Sequence, residues 1–149
     1  MTQPRKPDTV IMSASAPQPE ISPAVPSTGP EDRLEALIGL LSRGQFDYAD
    51  ETRCQLMIEN FLVECGAVFH REFQLTDGIV DFFFPRSGLC LEVKASKQWS
   101  RRAVYRQCER YCKDERVTGL VLATGRSQGL PELINGKPVR VLALGAAFL

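Results

Sequence analysis

The sequence predicts a single α/β domain. Three features carry that expectation: a stretch with helical apolar spacing, three strand-like segments joined by tight turns, and a second helix followed by two more apolar strands. The order reads α-β-β-β-α-β-β with no internal repeat. At 149 residues the chain can build one core but is too short for two.

Residues 1–30 are rich in Pro, Ser, Thr and Gln (APQPEISPAVPSTGPED) and show little apolar periodicity. Such a segment cannot bury enough surface to offset its ordering entropy, so a disordered tail is expected, with the domain occupying 31–149. EDRLEALIGLLSRG then places Leu34, Leu37, Ile38 and Leu41 at helical spacing, with Gly44 as a stop. This short extra helix, at about 32–43, is expected to pack on the domain or on a second subunit. DETRCQLMIENFLVECG is a longer helix with Asp50 as N-cap and Gly66 as its end. Its buried stripe is expected to run through Cys54, Ile58, Phe61, Leu62 and Cys65.

VFHREFQL alternates as a strand does and is followed by the turn TDG. IVDFFFP and LCLEVKA form a hairpin through PRSG. SRRAVYRQCERYCKDER is a helix that Ser100 would cap, TGLVLATG is a strand buried on both faces, and PELINGKPVRVLALG carries an Asn-Gly turn and a last strand.

Composition sets bounds rather than a function. Lys plus Arg and Asp plus Glu both number 18, so net charge points to no partner. No stretch nears the roughly 18 to 20 apolar residues of a membrane span, and the first residues lack the apolar run of a signal peptide, so a cytoplasmic protein is expected. The five cysteines are odd in number and sit in helices and strands, which fits reduced, buried thiols better than a disulfide framework. Cys108 and Cys112, four apart on one helix, are the weaker candidates for a shared metal, without a CxxC or a nearby histidine.

The hairpin GIVDFFFPRSGLCLEVKA poses the functional question, because Asp81, Glu92 and Lys94 stand among apolar strand residues. Burying a charge costs several kcal/mol unless it is paired or holds a metal. Strand alternation puts Glu92, Lys94 and Cys90 on one face and Leu91 and Val93 on the other. Pairing about an Arg86-Ser87 turn sets Asp81 opposite Glu92; a bulge at Gly88 would slide this by one. Two carboxylates so close repel, and a hard divalent cation such as Mg²⁺, which takes one or two carboxylates, removes the conflict. An adjacent lysine can orient a water or neutralise developing charge. The plainer alternative is a Glu-Lys or Asp-Lys salt bridge on a solvent-facing edge. On the preceding helix, Glu51 extends the buried stripe at its N-terminal end, whereas Glu59 falls beside Gln55. Glu51 is therefore the acid expected to point at the sheet, unless it only favours the helix dipole.

Asp81, ten residues, then Glu92-Val93-Lys94, between two helices, resembles the PD-(D/E)xK nuclease superfamily over roughly residues 48–125. The resemblance implies a restriction-endonuclease-like domain, a central mixed sheet flanked by helices. It implies Asp81 and Glu92 as ligands of Mg²⁺ or Mn²⁺ and Lys94 as the catalytic lysine. Glu51, about thirty residues before Asp81, matches the first-helix acid of archaeal-type Holliday junction resolvases. Gln107 and Tyr111 match the QxxxY motif of RecB-like members, where they support the site. Valine stands before Asp81 where the pattern has proline, the first helix lacks the RecB-like histidine, and a closing helix is not visible.

Lys97, Arg101, Arg102, Arg106, Arg110 and Lys113 crowd one region, with Arg102, Arg106 and Arg110 at i+4 intervals. Base concentrated beside a candidate site is the footprint of a phosphate-backbone binder. Trp99 is placed to stack on a base or wedge a junction. The alternatives are a solvated face pairing with Glu109, Asp114 and Glu115, and a tryptophan that anchors a loop. The expected function is a metal-dependent DNA nuclease acting on double-stranded or branched DNA in recombination, repair or end processing. A homodimer is expected if it is a resolvase, with the 32–43 helix as interface. The competing classes are a non-catalytic DNA-binding or assembly module on the same fold, and an interaction factor whose N-terminal tail is the active part.

Overall fold

Within residues 29–95 and 99–145, which the computed structural model describes, the chain runs α1 (Pro30–Leu41), α2 (Glu51–Glu64), β1 (His70–Leu75), β2 (Gly78–Phe84), β3 (Leu89–Lys94), α3 (Arg101–Tyr111), β4 (Gly119–Thr124), β5 (Leu133–Ile134) and β6 (Lys137–Ala143). The tail expected at residues 1–30 lies almost wholly outside the described residues, and so does Lys97. None of the described helices is long and apolar enough to cross a membrane.

The strands form one six-stranded mixed sheet in the order β1-β2-β3-β4-β6-β5. β1, β2 and β3 are an antiparallel meander. α3 then carries the chain over one face so that β4 lies parallel to β3. β6 is parallel to β4, but its crossover contains the short β5 rather than a helix. The β5–β6 turn is Asn135-Gly136, both with positive φ (53° and 78°), the conformation that Asn-Gly adopts most readily. The sequence therefore reads correctly as strand, not helix, beyond β4.

Each face of the sheet has its own apolar core. Leu34, Leu37 and Leu41 of α1 and Cys54, Ile58 and Leu62 of α2 pack with Phe82, Phe84, Leu91 and Val93 on one side. Val104, Cys108 and Tyr111 of α3 pack with Val80, Phe83, Cys90 and Leu122 on the other. β3 and β4 are central and buried along nearly their whole length, as continuous apolar runs require.

Asp50 caps α2 by accepting from the Thr52 and Arg53 amides at 3.0 and 3.4 Å, and Ser100 caps α3 by accepting from the Ala103 amide at 3.2 Å. Of the two packings expected of α1, the structure shows the first: its apolar face lies against its own chain's sheet, with Leu34 fully inaccessible. One expectation needs correction. Cys65 is exposed because it sits at the C-cap of α2, past the last turn, where helical spacing no longer sets its direction.

Candidate active site

The β2–β3 hairpin pairs Phe84 with Leu89, Phe83 with Cys90 and Phe82 with Leu91, the register of a turn about Arg86-Ser87, and the ladder stops there. At the next step Asp81 and Glu92 take over with their side chains. Glu92 Oε1 accepts from the Asp81 amide at 3.2 Å, and Asp81 Oδ2 accepts from the Val93 amide at 2.8 Å. Each carboxylate thus replaces a rung of the sheet by bonding the opposite strand. Lys94 Nζ lies 3.3 Å from Glu92 Oε2. The three charges of the hairpin therefore meet at one place, where the sheet opens.

The opening has a local cause. Val80 and Phe82 are two residues apart and would share a face in a regular strand. Instead Val80 lies in the α3-side core and Phe82 in the α1/α2-side core. On β1, the residue opposite Asp81 in the register is Glu72, and that pair is missing from an otherwise continuous ladder. Glu72 has φ +49°, which costs a non-glycine residue roughly 1 kcal/mol. The β1–β2 ribbon thus changes faces across Glu72 and Asp81. Phe73 beyond the break stacks on Phe83 at 4.4 Å, while Arg71 before it lies over Phe82 at 4.6 Å. Strain of this kind gathers where a site has to be shaped.

Burial first, and then the facing Asp81 charge, push the Glu92 carboxyl up to about 8, against the pull of Lys94 and the Asp81 amide. Asp81 is raised as well, again mainly by burial; the Val93 amide, Lys94 and Arg71 oppose this, and Glu51 adds to it. Burial thus favours the proton-bound form of each acid. Their chemistry fits a hard divalent cation, which prefers oxygen donors and would displace bound protons. Glu51 stands half-buried in the first turn of α2 and acts on Asp81 through its charge. Among the described residues, no three His, Cys, Asp or Glu side chains are gathered into a metal cage, so Asp81 and Glu92 form a pair rather than a closed site.

Gln107 and Tyr111 stand on the inward side of α3. Gln107 Nε2 donates to Tyr111 Oη at 2.9 Å, and Tyr111 Oη donates to the Ile79 carbonyl at 2.6 Å. The pair ties α3 to β2 two residues from Asp81. Gly78, with φ +122°, makes room for this ring: a Cβ there would lie 3.1 Å from Tyr111 Cε1.

Sequence reasoning missed Arg71. Its guanidinium donates to Glu59 at 2.7 Å, to Gln55 at 2.9 Å and to the Asp81 carbonyl at 3.2 Å. It therefore fixes β1, α2 and the Asp81 backbone together. The one signal was the placement of Gln55 and Glu59 side by side at i and i+4, on the flank of α2.

Arg101, Arg102, Arg106 and Arg110 are exposed on α3. Arg101 donates to the Ser127 carbonyl at 3.2 Å and Arg110 lies 4.0 Å from Asp77, while Arg102 and Arg106 form no ion pair among the described residues. Asp114, considered as a partner for this row, is instead buried and held by Arg116 at 2.8 Å. Trp99 is half-buried, donates to Gln128 Oε1 at 3.4 Å and carries Arg126 over its ring at 5.3 Å, which is the arrangement of a loop anchor. Burial pushes the thiols of Cys108 and Cys112 up, to about 12 and about 11, so both are protonated core residues.

No family model matches this chain, and neither a curated protein nor a solved structure matches it.

Proposed function

We propose that the protein is a divalent-metal-dependent DNA nuclease with a restriction-endonuclease-like core, acting in recombination, repair or the processing of DNA ends and branches. The observation that carries this reading is the opposed Asp81–Glu92 pair with Lys94 beside it, placed where the ladder breaks. An acid pair left with a single lysine inside a sheet is costly, and a cation with a phosphate substrate removes the cost. The meander, the α3 crossover to a parallel β4 and the Gln107–Tyr111 brace support the same reading, as does the row of exposed arginines.

In the reaction, a water oxygen bonds to phosphorus as the P–O ester bond breaks. The water gives up a proton, and the departing alkoxide takes one. Mg²⁺ or Mn²⁺ would be held by Asp81 and Glu92, with Glu51 the nearest further acid, and when bound it neutralises the acids and polarises the phosphate. Lys94 orients the attacking water and offsets charge on the phosphoryl oxygens. Gln107 and Tyr111 hold β2 in place, and Arg71 fixes the backbone of Asp81. Arg102 and Arg106 contact backbone phosphates without reading bases, so sequence specificity is not expected.

The test is cleavage of labelled linear, flapped and four-way-junction DNA in Mn²⁺ and Mg²⁺, wild type beside Lys94→Ala. Metal-dependent cutting that falls about a hundredfold or more in the variant is expected. DNA binding without cutting by either protein would replace the nuclease with a binding module.

A further inference from the structure

The carboxyl ends of β4 and β6 frame a cleft of about 520 Å³ whose walls include Tyr48, Gly125, Arg126, Ser127, Gln128 and Ala143. Crevices at the carboxyl ends of parallel strands are where open α/β sheets take ligands. This one begins a single strand away from the candidate catalytic lysine. Thr124 is the register partner of Lys94, and the Gly125 amide donates to the Lys94 carbonyl at 3.1 Å.

Tyr48 comes from the connection between α1 and α2 and stands as a partition. On one side is this cleft; on the other is a cavity of about 540 Å³ lined by Gln45, Phe46, Asp47, Ala49 and Met57. The ring rests on two glycines: a Cβ on Gly125 would lie 2.8 Å from Tyr48 Cδ2, and one on Gly145 would lie 3.0 Å from Tyr48 Oη. The residue is 38% exposed, and its hydroxyl makes no hydrogen bond among the described residues. A large aromatic seated on glycine backbone, with an open side, is a stacking surface. Cations flank it: Arg126 lines the cleft, and Arg101 reaches the cleft wall through its bond to the Ser127 carbonyl at 3.2 Å.

We propose that this cleft takes one unpaired nucleotide of a DNA strand, its base stacked on Tyr48 and its phosphate turned towards Arg101 and Arg126. A volume of this size suits a single nucleotide and not a base pair. A flat ring tolerates any base, and the arginines match the phosphate charge. The proposal rests on the nuclease reading for its consequence: unpaired residues beside the scissile phosphate, as in flaps and frayed branches, are the preferred substrate.

The experiment is binding of a single-stranded oligodeoxynucleotide containing 2-aminopurine to the full chain without divalent metal, so that nothing is cut. Wild type and Tyr48→Phe are expected to bind and quench the probe by stacking. Tyr48→Ala removes the ring and Ala143→Trp plugs the cleft at an exposed position. Both are expected to lose the quenching and to bind about tenfold more weakly or worse. Binding by either of these two variants with wild-type quenching would overturn the proposal, as would a wild type that fails to bind or quench. The readout needs no cleavage, so failure of the nuclease reading leaves this result distinguishable.

Discussion

Glu92 and Asp114 are each only 3% exposed, Glu92 deep in the sheet and Asp114 beneath the half-exposed Arg116, and their surroundings drive them in opposite directions. Asp114 accepts from the Arg116 guanidinium through both oxygens, from the Arg116 amide, and from the Thr76 amide and hydroxyl. These bonds, with the Arg116 cation first, hold its carboxyl well below the usual carboxylate range. Glu92 has one lysine, one amide and a second acid facing it, and it is pushed up to about 8. Low exposure alone therefore does not distinguish a carboxylate that the protein satisfies from one that it leaves short of partners. What differs is whether the protein itself completes the set of partners. Around Asp114 it does, and the acid locks the β1–β2 turn to the end of α3. Around Glu92 it does not, and in the proposed function a divalent cation would complete the set.

The sharpest way to break this contrast is to truncate the satisfied acid. Asp114→Ala leaves the Thr76 amide and hydroxyl without their acceptor and is expected to cost about 2–3 kcal/mol in urea unfolding. A loss below about 1 kcal/mol would mean that the bonds around Asp114 contribute little. Because its folded pKa is depressed, the Asp114 contribution is present above the unfolded value near 4 and is lost as pH falls through the lower folded value. The variant should therefore show a flatter acid limb than wild type.

Glu92→Gln should act in the reverse sense. A carboxyl raised in the folded state binds its proton more tightly there, so folding without metal loses stability as pH climbs from about 4.5 towards 8. Glutamine removes that penalty. The variant is expected to match wild type near pH 4 and to exceed it by about 1 kcal/mol or more near pH 9, while its metal-dependent cleavage falls about a hundredfold. Equal pH dependence in the two proteins would contradict the unsatisfied character of Glu92.

The smallest effect on cleavage belongs to the residue that orders the break in the sheet. Arg71→Leu leaves Glu59 and Gln55 without their partner and frees the Asp81 carbonyl. A loss of about 1–2 kcal/mol in stability is expected, with cleavage down about tenfold through kcat rather than KM. A variant that changes stability alone would show that Arg71 braces the fold and does not position the site.

Much of this contrast could be read from residue order because it is local. Turn chemistry at Arg86-Ser87 set the hairpin register, and with it Asp81 opposite Glu92. Side-chain caps marked the starts of α2 and α3, and helical spacing put Tyr111 and Cys108 on the inward face. What could not be read depends on contacts far apart in the chain. Asp114 looked like a solvated partner for the arginine row because Thr76 lies 38 residues away. The face change at Glu72 and Asp81 breaks strand alternation, the rule on which a strand reading depends. Arg71 gains its meaning only when α2 folds over β1. The leucine face of α1 carries no mark that separates its own sheet from a second subunit.

The most direct test is calorimetric titration of Mn²⁺ into wild type and Glu92→Gln at pH 7, in two buffers of different ionisation heat. Wild type is expected to bind Mn²⁺ and to release protons as the ion replaces them on the raised carboxyls, and Glu92→Gln to lose both signals. Binding of equal strength by the two proteins, or no binding by wild type, would contradict the assignment of Asp81 and Glu92 as the metal site.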